Sequence, residues 1–236
     1  MNVIYLDEID STNRELKKRA LLGAPSGTVL VADRQTEGRG RMGRSFFSPG
    51  GSGIYMSILV RPVRLADAGL LTTFAAVAVA RALAGFGLEV GIKWVNDLMV
   101  GGRKLCGILA EAGRFDGEDF AVIGIGINLK KTAFPPELAD IAVSFEEVLG
   151  WAPDRRAVVN AILDFFSQLH MDAPQDWMDE YRRRSVTVGK KVTVLPHAER
   201  PYDAIALSVS DSGSLLVRTS DGKTVEVSSG EVSVKI

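Results

Sequence analysis

Apolar and polar positions divide the chain into a region of mixed strands and helices followed by a region of short strands alone. Strand-type runs rich in Val and Ile occupy Val29–Ala32, Ile54–Val60, Gly91–Trp94, Leu98–Val100, Leu105–Ala110 and Ala121–Ile127. Helical periodicity covers Arg14–Leu22, Asp67–Gly85 and Asp154–His170, and the segment WMDEYRRRS predicts a last helix ending near Arg184. This mixture predicts an α+β fold in which a mixed sheet packs against helices.

The first helix has a recognisable start. Thr12 is followed three residues later by Glu15, which is the spacing of a capping box. The sequence therefore predicts that Thr12 caps this helix.

The pattern changes after Arg184, where helical periodicity ends. The runs VTVL, AIALSVS, LLVRT, TVEVS and EVSVKI alternate with turn sequences such as SDSG and SDG. Five short strands of this kind predict a small SH3-like β-barrel. We therefore predict two domains, residues 1–185 and residues 186–236.

Composition and charge narrow the function classes. The chain has 236 residues, of which 46% are hydrophobic and 24% charged, as in ordinary soluble domains. A net charge of −1 provides no global attraction to DNA or to an anionic membrane. Cys106 is the one cysteine, so no internal disulfide forms, and the acidic N-terminus is not a signal peptide. The apolar stretch Leu65–Leu88 contains charged residues, so it predicts a buried helix rather than a membrane span. We therefore expect a cytoplasmic location.

The segment Val31–Gly53 combines arginines with glycines. Arg39, Arg41 and Arg44 lie among Gly38, Gly40 and further glycines, with no acid between the arginines. Arginine forks bind phosphate, and glycine lets the backbone approach a ligand. A loop that closes over a nucleotide and an ordinary solvated loop both fit this composition. The embedded G-x-G-x-x-G is followed by SFFSPGGSG rather than by a helix, so a dinucleotide-binding fold is disfavoured.

Three further segments carry polar groups in apolar surroundings. Ile92–Glu111 predicts a hairpin with Lys93, Asn96, Asp97, Lys104 and Glu111, although residues 103 and 104 directly after a turn also fit a solvent-facing role. Alternating glycines at 124 and 126 indicate that something approaches this strand closely, a ligand or another part of the sheet, and Asn128 follows at its end. The motif DSTN at 10–13 fits helix capping or ligand binding.

Other chemistry has little support. The two histidines and one cysteine form no metal-ligand cluster in the sequence, and no P-loop or G-x-S-x-G motif occurs. Cys106 lies in an apolar strand and is predicted to be a core residue rather than a nucleophile.

Taken together, the four segments resemble the biotin–protein ligase family. The similarity runs in order through STN at 11–13, Gln35, GRGRMGR at 38–44, KWVND at 93–97, RKLCGILAE at 103–111 and GIGINL at 124–129. The C-terminal β region also resembles that of the family. The resemblance implies a catalytic domain of the class II synthetase-like type. It also implies a form without the DNA-binding domain that some members carry, because STN occurs at residue 11.

The resemblance implies a role for individual residues. Those expected to bind biotin are Ser11, Thr12, Asn13, Gln35, Gly38, Arg39, Gly40, Arg41, Lys104 and Gly107. Those expected to bind ATP or the adenylate are Arg41, Arg44, Phe46, Lys93, Asn96, Lys104 and Asn128. Catalysis is assigned to Lys104 and Arg41, with Asp97 as a base or an orienting group. Phe46 stands where the family often has a tryptophan that packs on adenine.

The resemblance further implies a reaction and its partners. Biotin and ATP with Mg²⁺ would form biotinoyl-5′-AMP, and the biotinyl group would pass to a lysine of a biotin carboxyl carrier protein domain of acetyl-CoA carboxylase. No DNA and no membrane are expected as partners, and a homodimer is consistent with the family. The nearest alternative is a lipoate–protein ligase or octanoyltransferase. A non-catalytic module that binds peptide or nucleic acid is an alternative of a different class.

Overall fold

A seven-stranded mixed sheet forms the larger part of the molecule. The computed structural model describes residues 1–61, 68–132, 134–168, 173–195, 200–228 and 231–234. The strands of this sheet are β1 (Asn2–Ile9), β2 (Thr28–Gln35), β3 (Gly53–Val60), β4 (Gly91–Lys93), β5 (Asp97–Val100), β6 (Arg103–Phe115) and β7 (Glu118–Asn128). Their order is β1-β2-β3-β7-β6-β5-β4, and β1 and β2 are parallel while the other neighbours are antiparallel.

Helices cover both faces of this sheet. The helices are α1 (Thr12–Ala20), α2 (Ala68–Gly85), α3 (Pro136–Ala139), α4 (Phe145–Leu149), α5 (Arg155–Gln168) and α6 (Gln175–Arg184). Helix α1 connects the parallel strands β1 and β2 and packs on β3 and β7, whereas α2 packs on β6 and against α5 and α6. The mixed sheet with helices that the sequence predicted is confirmed.

The face under α1 changes character along the strands. Beneath the helix, Leu16 packs on the apolar residues Leu59 and Val122. Because alternate residues share a face, Ser57 and Gly124 continue this face two residues further on, and they are register partners. The sheet surface at the N-terminus of α1 is therefore polar and carries little side-chain volume, which leaves room for a pocket.

The opposite face holds the main apolar core. Ile123, Ile125 and Ile127 of β7 are buried there together with the interior side of α2. The ring of Phe74 in α2 lies 5.3 Å from that of Trp177 in α6, which joins the helices in one packed layer. This packed layer of helices supports the sheet from the side opposite the pocket.

The five predicted C-terminal strands are also confirmed. They are β8 (Lys191–Leu195), β9 (Tyr202–Val209), β10 (Leu215–Thr219), β11 (Thr224–Val227) and β12 (Glu231–Val234), in the order β11-β10-β9-β8-β12. Among the described residues the pairings give a sheet with β11 and β12 at its edges, and the SH3-like barrel stays a prediction. The indole N–H of Trp94, in the β4–β5 connection, donates to the carbonyl of Gly213, in the β9–β10 turn, at 2.9 Å. The domain boundary at 185/186 likewise stays a prediction.

Two local expectations need correction, and one strand was missed. Ser11, not Thr12, caps α1: its Oγ accepts from the backbone N–H of Arg14, and the helix begins two residues earlier than predicted. Glu15 forms an ion pair with Arg19 instead of completing a capping box. Strand β1 was not predicted, although residues 3–6 form a short apolar run; half of its residues are exposed, as suits a strand at the edge of the sheet.

Helices α2, α5 and α6 lie close to the predicted positions, whereas the short helices α3 and α4 were not predicted. Residue 67 and residues 169–170, at the ends of two predicted helices, lie outside the described residues. Within the described part of the chain, none of the helices has the length and apolar character needed to cross a membrane.

Candidate active site

A buried polar network forms the floor of a first pocket. Ser11, Thr12 and Asn13 are 1%, 3% and 4% exposed, respectively, where α1 begins. The backbone N–H of Thr12 donates to Oε1 of Gln35 at 2.8 Å. The Ser57 hydroxyl lies 2.8 Å from Thr12 Oγ1 and 2.6 Å from Asn13 Oδ1. Buried polar groups of this kind are costly unless bonded, and here each supports the next. The DSTN motif therefore both caps the helix and lines a pocket.

The glycines of β7 make space for two side chains. A Cβ at position 124 would lie 2.3 Å from Asn13 Oδ1, and a Cβ at position 126 would lie 2.6 Å from the Phe46 ring. The predicted close approach to this strand is confirmed. The approaching groups are Asn13 and Phe46 of the chain itself, so these glycines are needed whether or not a ligand is bound.

The Arg/Gly segment forms a hairpin, residues 38–46, that lies against the pocket. The Phe46 N–H donates to the Gly38 carbonyl at 2.9 Å, and the Gly40 N–H donates to the Arg44 carbonyl at 2.7 Å. A Cβ at position 38 would lie 2.4 Å from the Phe46 carbonyl oxygen, which explains the first glycine. Backbone hydrogen bonds between its two arms therefore hold the Arg/Gly hairpin together.

Two arginines of the hairpin contact the neighbouring strands. Arg39 Nη1 lies 3.1 Å from Glu111 Oε1 on β6. Arg41 Nη1 donates to Asn96 Oδ1 at 3.3 Å. Two of its cations therefore contact other parts of the site, while residues 42–45 at its tip are exposed.

Lys104 points inward from the start of β6. Its ammonium lies 2.6 Å from Asp97 Oδ1 and 5.9 Å from the centre of the Phe46 ring. The preceding Arg103 turns away and pairs with Glu147. The two side chains are similarly exposed, 37% for Arg103 and 34% for Lys104, and they differ in that only Lys104 of the two lines the pockets.

Two pockets meet at one shared wall. The first is lined by all the residues predicted to bind biotin except Gly38, which lies at the hairpin base. The second and larger one is lined by all those predicted to bind ATP and by Asp97. Five residues line both pockets: Gly40, Arg41, Phe46, Asn96 and Lys104. The structure thus brings the predicted site residues together.

Asn128 lines the second pocket and also donates hydrogen bonds to two backbone carbonyls. Its amide group lies 3.4 Å from the Lys104 carbonyl and 3.2 Å from the Val143 carbonyl, as the donor to both. Asn128 therefore fixes the backbone that carries Lys104.

Several lining residues were not found from the sequence. The first pocket is also lined by Leu109 and, from strands whose side chains face the main core, by Met56, Ile108 and Ile125, and the second by Phe47, Phe134, Leu138 and Ile141. Ser57, a serine within the apolar run Ile54–Val60, was a usable signal for the buried network. Phe134 lies between regular elements, where sequence periodicity gives no indication.

Cys106 is a buried residue of the core. Burial raises the pKa of the Cys106 thiol far above its usual range, which the charge of Lys104 offsets only in part. The thiol is fully buried, so the predicted core role is confirmed. In the described ranges no three His, Cys, Asp or Glu side chains are grouped as a metal site requires.

Comparison with known proteins identifies the family. Residues 5–128 match the model of the biotin/lipoate A/B protein ligase family, and residues 187–235 match the model of the biotin protein ligase C-terminal domain. The chain belongs to the biotin/lipoate A/B protein ligase family.

Individual proteins of known name are similar to this chain over most of its length. The chain is 37% identical over 232 residues to the bifunctional ligase/repressor BirA of Bacillus spizizenii, covering 94% of this chain and 70% of that protein. It is 36% identical to the biotin–[acetyl-CoA-carboxylase] ligase of Mycobacterium tuberculosis, covering 94% and 85% of the two chains. The solved biotin protein ligase of Aquifex aeolicus in complex with biotin and ATP has a TM-score of 0.84 at 31% identity, covering 99% and 98%. Two of these three relatives are named as biotin ligases, and the third as a bifunctional ligase/repressor.

Proposed function

We propose that this protein is an ATP-dependent biotin–protein ligase. It joins biotin to AMP and then transfers the biotinyl group to a lysine of a biotin carboxyl carrier domain of acetyl-CoA carboxylase. The observation that carries this proposal is the pair of pockets separated by a wall that contains Lys104 and Arg41. A small acid in one pocket and a nucleotide in the other would meet at these cations.

The first step is attack of the biotin carboxylate on the α-phosphate of ATP, which releases pyrophosphate. The obstacle is repulsion between two anions, so preorganised cations supply most of the catalysis. Lys104 and Arg41 face the position where the anions meet, and Arg44 and Lys93 extend the positive lining into the second pocket.

The first pocket suits a compact bicyclic urea with an apolar chain. Its buried end offers hydroxyl and amide groups of Ser11, Thr12, Asn13 and Gln35, which match N–H and C=O groups of a ureido ring. Apolar surface is supplied by Leu109 and by the ring of Phe46, which suits the remaining ring and the valeryl chain.

The second pocket combines positive charge with aromatic surface. The Phe47 and Phe134 rings lie 6.3 Å apart on its wall, and Phe46 lies between the two pockets. An adenine ring would find a stacking partner here, although phenylalanine offers no indole N–H.

A magnesium ion fits this site through the nucleotide. Asp97 is the one carboxylate among the described residues that line the second pocket, which is too few oxygen ligands for an all-protein site. The ion would therefore be held mainly by phosphate oxygens, and it would neutralise part of their charge.

The second step is attack of the acceptor lysine on the mixed anhydride. Asp97 lies against Lys104 at 2.6 Å, which supports a role in orienting Lys104 more than a role as a base for the acceptor amine. The Arg/Gly hairpin covers the junction of the pockets, where it would keep water from the adenylate until the carrier domain docks.

The direct test is incubation with biotin, ATP, Mg²⁺ and a biotin carboxyl carrier domain, followed by streptavidin detection of the product. Replacing biotin with lipoate or octanoate tests the alternative within the family. Pyrophosphate release that requires lipoate and not biotin would contradict the proposal. A mass measurement in solution tests the predicted homodimer.

A further inference from the structure

Glu111 contacts both the floor of the first pocket and the Arg/Gly hairpin. It lies on β6, and its side chain is 18% exposed. Oε2 accepts from Asn13 Nδ2 at 3.0 Å, while Oε1 lies 3.1 Å from Arg39 Nη1. One carboxylate therefore joins two parts of the site that are 26 positions apart in the sequence, at residues 13 and 39.

Toward the pocket, Glu111 determines which way the Asn13 amide points. Both hydrogens of Nδ2 are used, one by Glu111 and one by the Leu109 carbonyl at 3.2 Å. The opposite amide orientation would place an oxygen against two acceptors, because an ionised carboxylate only accepts. Without Glu111 this preference weakens, since the Ser57 hydroxyl can accept from an N–H as readily as it donates to Oδ1. Glu111 thus keeps the Asn13 oxygen turned toward Ser57.

Toward the hairpin, Glu111 holds the first arm. Arg39 pairs with Ser45 across the hairpin in a β-bridge, so a restraint on Arg39 acts on both arms. The contact between Arg41 and Asn96 restrains the hairpin on the side of the second pocket. The Arg39–Glu111 pair provides the corresponding restraint on the side of the first pocket.

We propose that Glu111 is a positioning residue that couples the ligand-binding orientation of Asn13 to the closed position of the Arg/Gly hairpin. This inference rests on the proposed biotin ligase function, which supplies the identity of the ligand. It adds a residue that affects both the binding of biotin and the retention of biotinoyl-AMP.

Two variants separate the two contacts. Glu111→Gln keeps an oxygen that accepts from Asn13 but presents a neutral amide, donor against donor, to Arg39. Glu111→Ala removes both contacts. We expect Glu111→Gln to change the KM for biotin by less than threefold and to release biotinoyl-AMP about three to five times faster, the range for a partly exposed ion pair. Glu111→Ala should in addition raise the KM for biotin about tenfold, with the KM for ATP within twofold of wild type.

A double-mutant cycle assigns the faster release to the ion pair. Arg39→Ala combined with Glu111→Gln should release the adenylate no faster than Arg39→Ala alone. Glu8→Gln is the matched control, because Glu8 pairs with Arg34 at 2.8 Å on neighbouring strands and lines neither pocket. Denaturant unfolding of each variant accounts for any loss of fold.

Hydrogen exchange of the ligand-free protein tests the restraint without any substrate. Glu111→Gln should speed exchange of the Gly40 and Phe46 amides about threefold, and Glu8→Gln should leave it unchanged. Equal exchange in wild type and Glu111→Gln would overturn the coupling even in an active ligase. Equal KM for biotin in the Gln and Ala variants would overturn the role at Asn13. Absence of biotin-dependent pyrophosphate release in wild type would instead refute the proposed function, and the exchange result would stand alone.

Discussion

The two pockets of the site are built by different means. In the first, short side chains at the start of α1 bond to one another and to Gln35, and they are almost fully buried. In the second, long cationic side chains project from the hairpin and from β4 into a larger space. The first pocket is fixed in shape by the sheet and helix, whereas the second is defined mainly by charge.

This difference matches two tasks. A neutral ring is recognised by hydrogen bonds of fixed direction, and a buried polar group left without its partner is costly, so the wrong ligand is rejected. A polyphosphate is recognised by charge, which acts over a longer distance and tolerates looser geometry. Lys104 lies at the boundary and belongs to both, and for this reason its loss is expected to have the largest effect.

Lys104→Ala should nearly abolish adenylate formation. Loss of one preorganised cation typically removes about 3–4 kcal/mol of transition-state stabilisation, a 10²–10³-fold fall in rate. Biotin-dependent ATP–pyrophosphate exchange measures this, with circular dichroism to verify the fold. Arg103→Ala is the matched control, since Arg103 is adjacent and pairs with Glu147 outside the site. Near-normal exchange in Lys104→Ala would show that the shared wall does not carry the chemistry.

Gly124→Ala should damage the first pocket and spare the second. The new methyl group would lie 2.3 Å from Asn13 Oδ1, so Asn13 must move. Overpacking of this kind costs about 1–3 kcal/mol, which predicts a KM for biotin raised roughly 10- to 100-fold with the KM for ATP unchanged. Gly85→Ala is the control, because nothing lies within 4 Å of a Cβ there. If both substrates lose affinity equally, the two pockets are not separable in this way.

Arg41→Gly should loosen the hairpin at the shared wall. A hydrogen bond to a charged group contributes about 1.5–3 kcal/mol, so release of biotinoyl-AMP should be roughly 10- to 100-fold faster. The adenylate that leaks into solution can be measured by chromatography after rapid removal of the protein. Retention as tight as in wild type would mean that the hairpin has another role.

Ser57→Ala should give the smallest effect of these four substitutions. It is also the most selective test of the difference between the first and the second pocket. It removes the hydroxyl that supports Thr12 and Asn13, at a cost of about 1 kcal/mol. The KM for biotin should rise about fivefold in steady-state kinetics, while the KM for ATP stays the same. Ser167→Ala serves as the control, because the Ser167 hydroxyl donates to the Asp164 carbonyl within α5 and lines neither pocket. A larger effect on ATP than on biotin would contradict the assignment of the first pocket.

Much of the chemistry could be predicted from the sequence. Short sequence motifs contain the arginines of the hairpin, Lys104 and the polar residues at the start of α1. The glycines at 124 and 126 predicted that another group approaches the strand closely, but not which group. The C-terminal strands followed from alternation and turn residues, because period-two patterning needs no distant partner. Even so, the local prediction that Thr12 caps α1 was wrong by one residue, since Ser11 and Thr12 are chemically similar.

By itself the sequence determined the residue types and their order, and with them the strands, the helices and the polar clusters. Only the tertiary structure decided which clusters share a wall, because contacts such as Arg39 with Glu111 join residues far apart in the chain. It also decided that Lys104 pairs with Asp97 at the pockets while Arg103 pairs with Glu147. The physical reason is that side-chain direction at a strand end depends on the neighbouring strands, which local patterning does not encode.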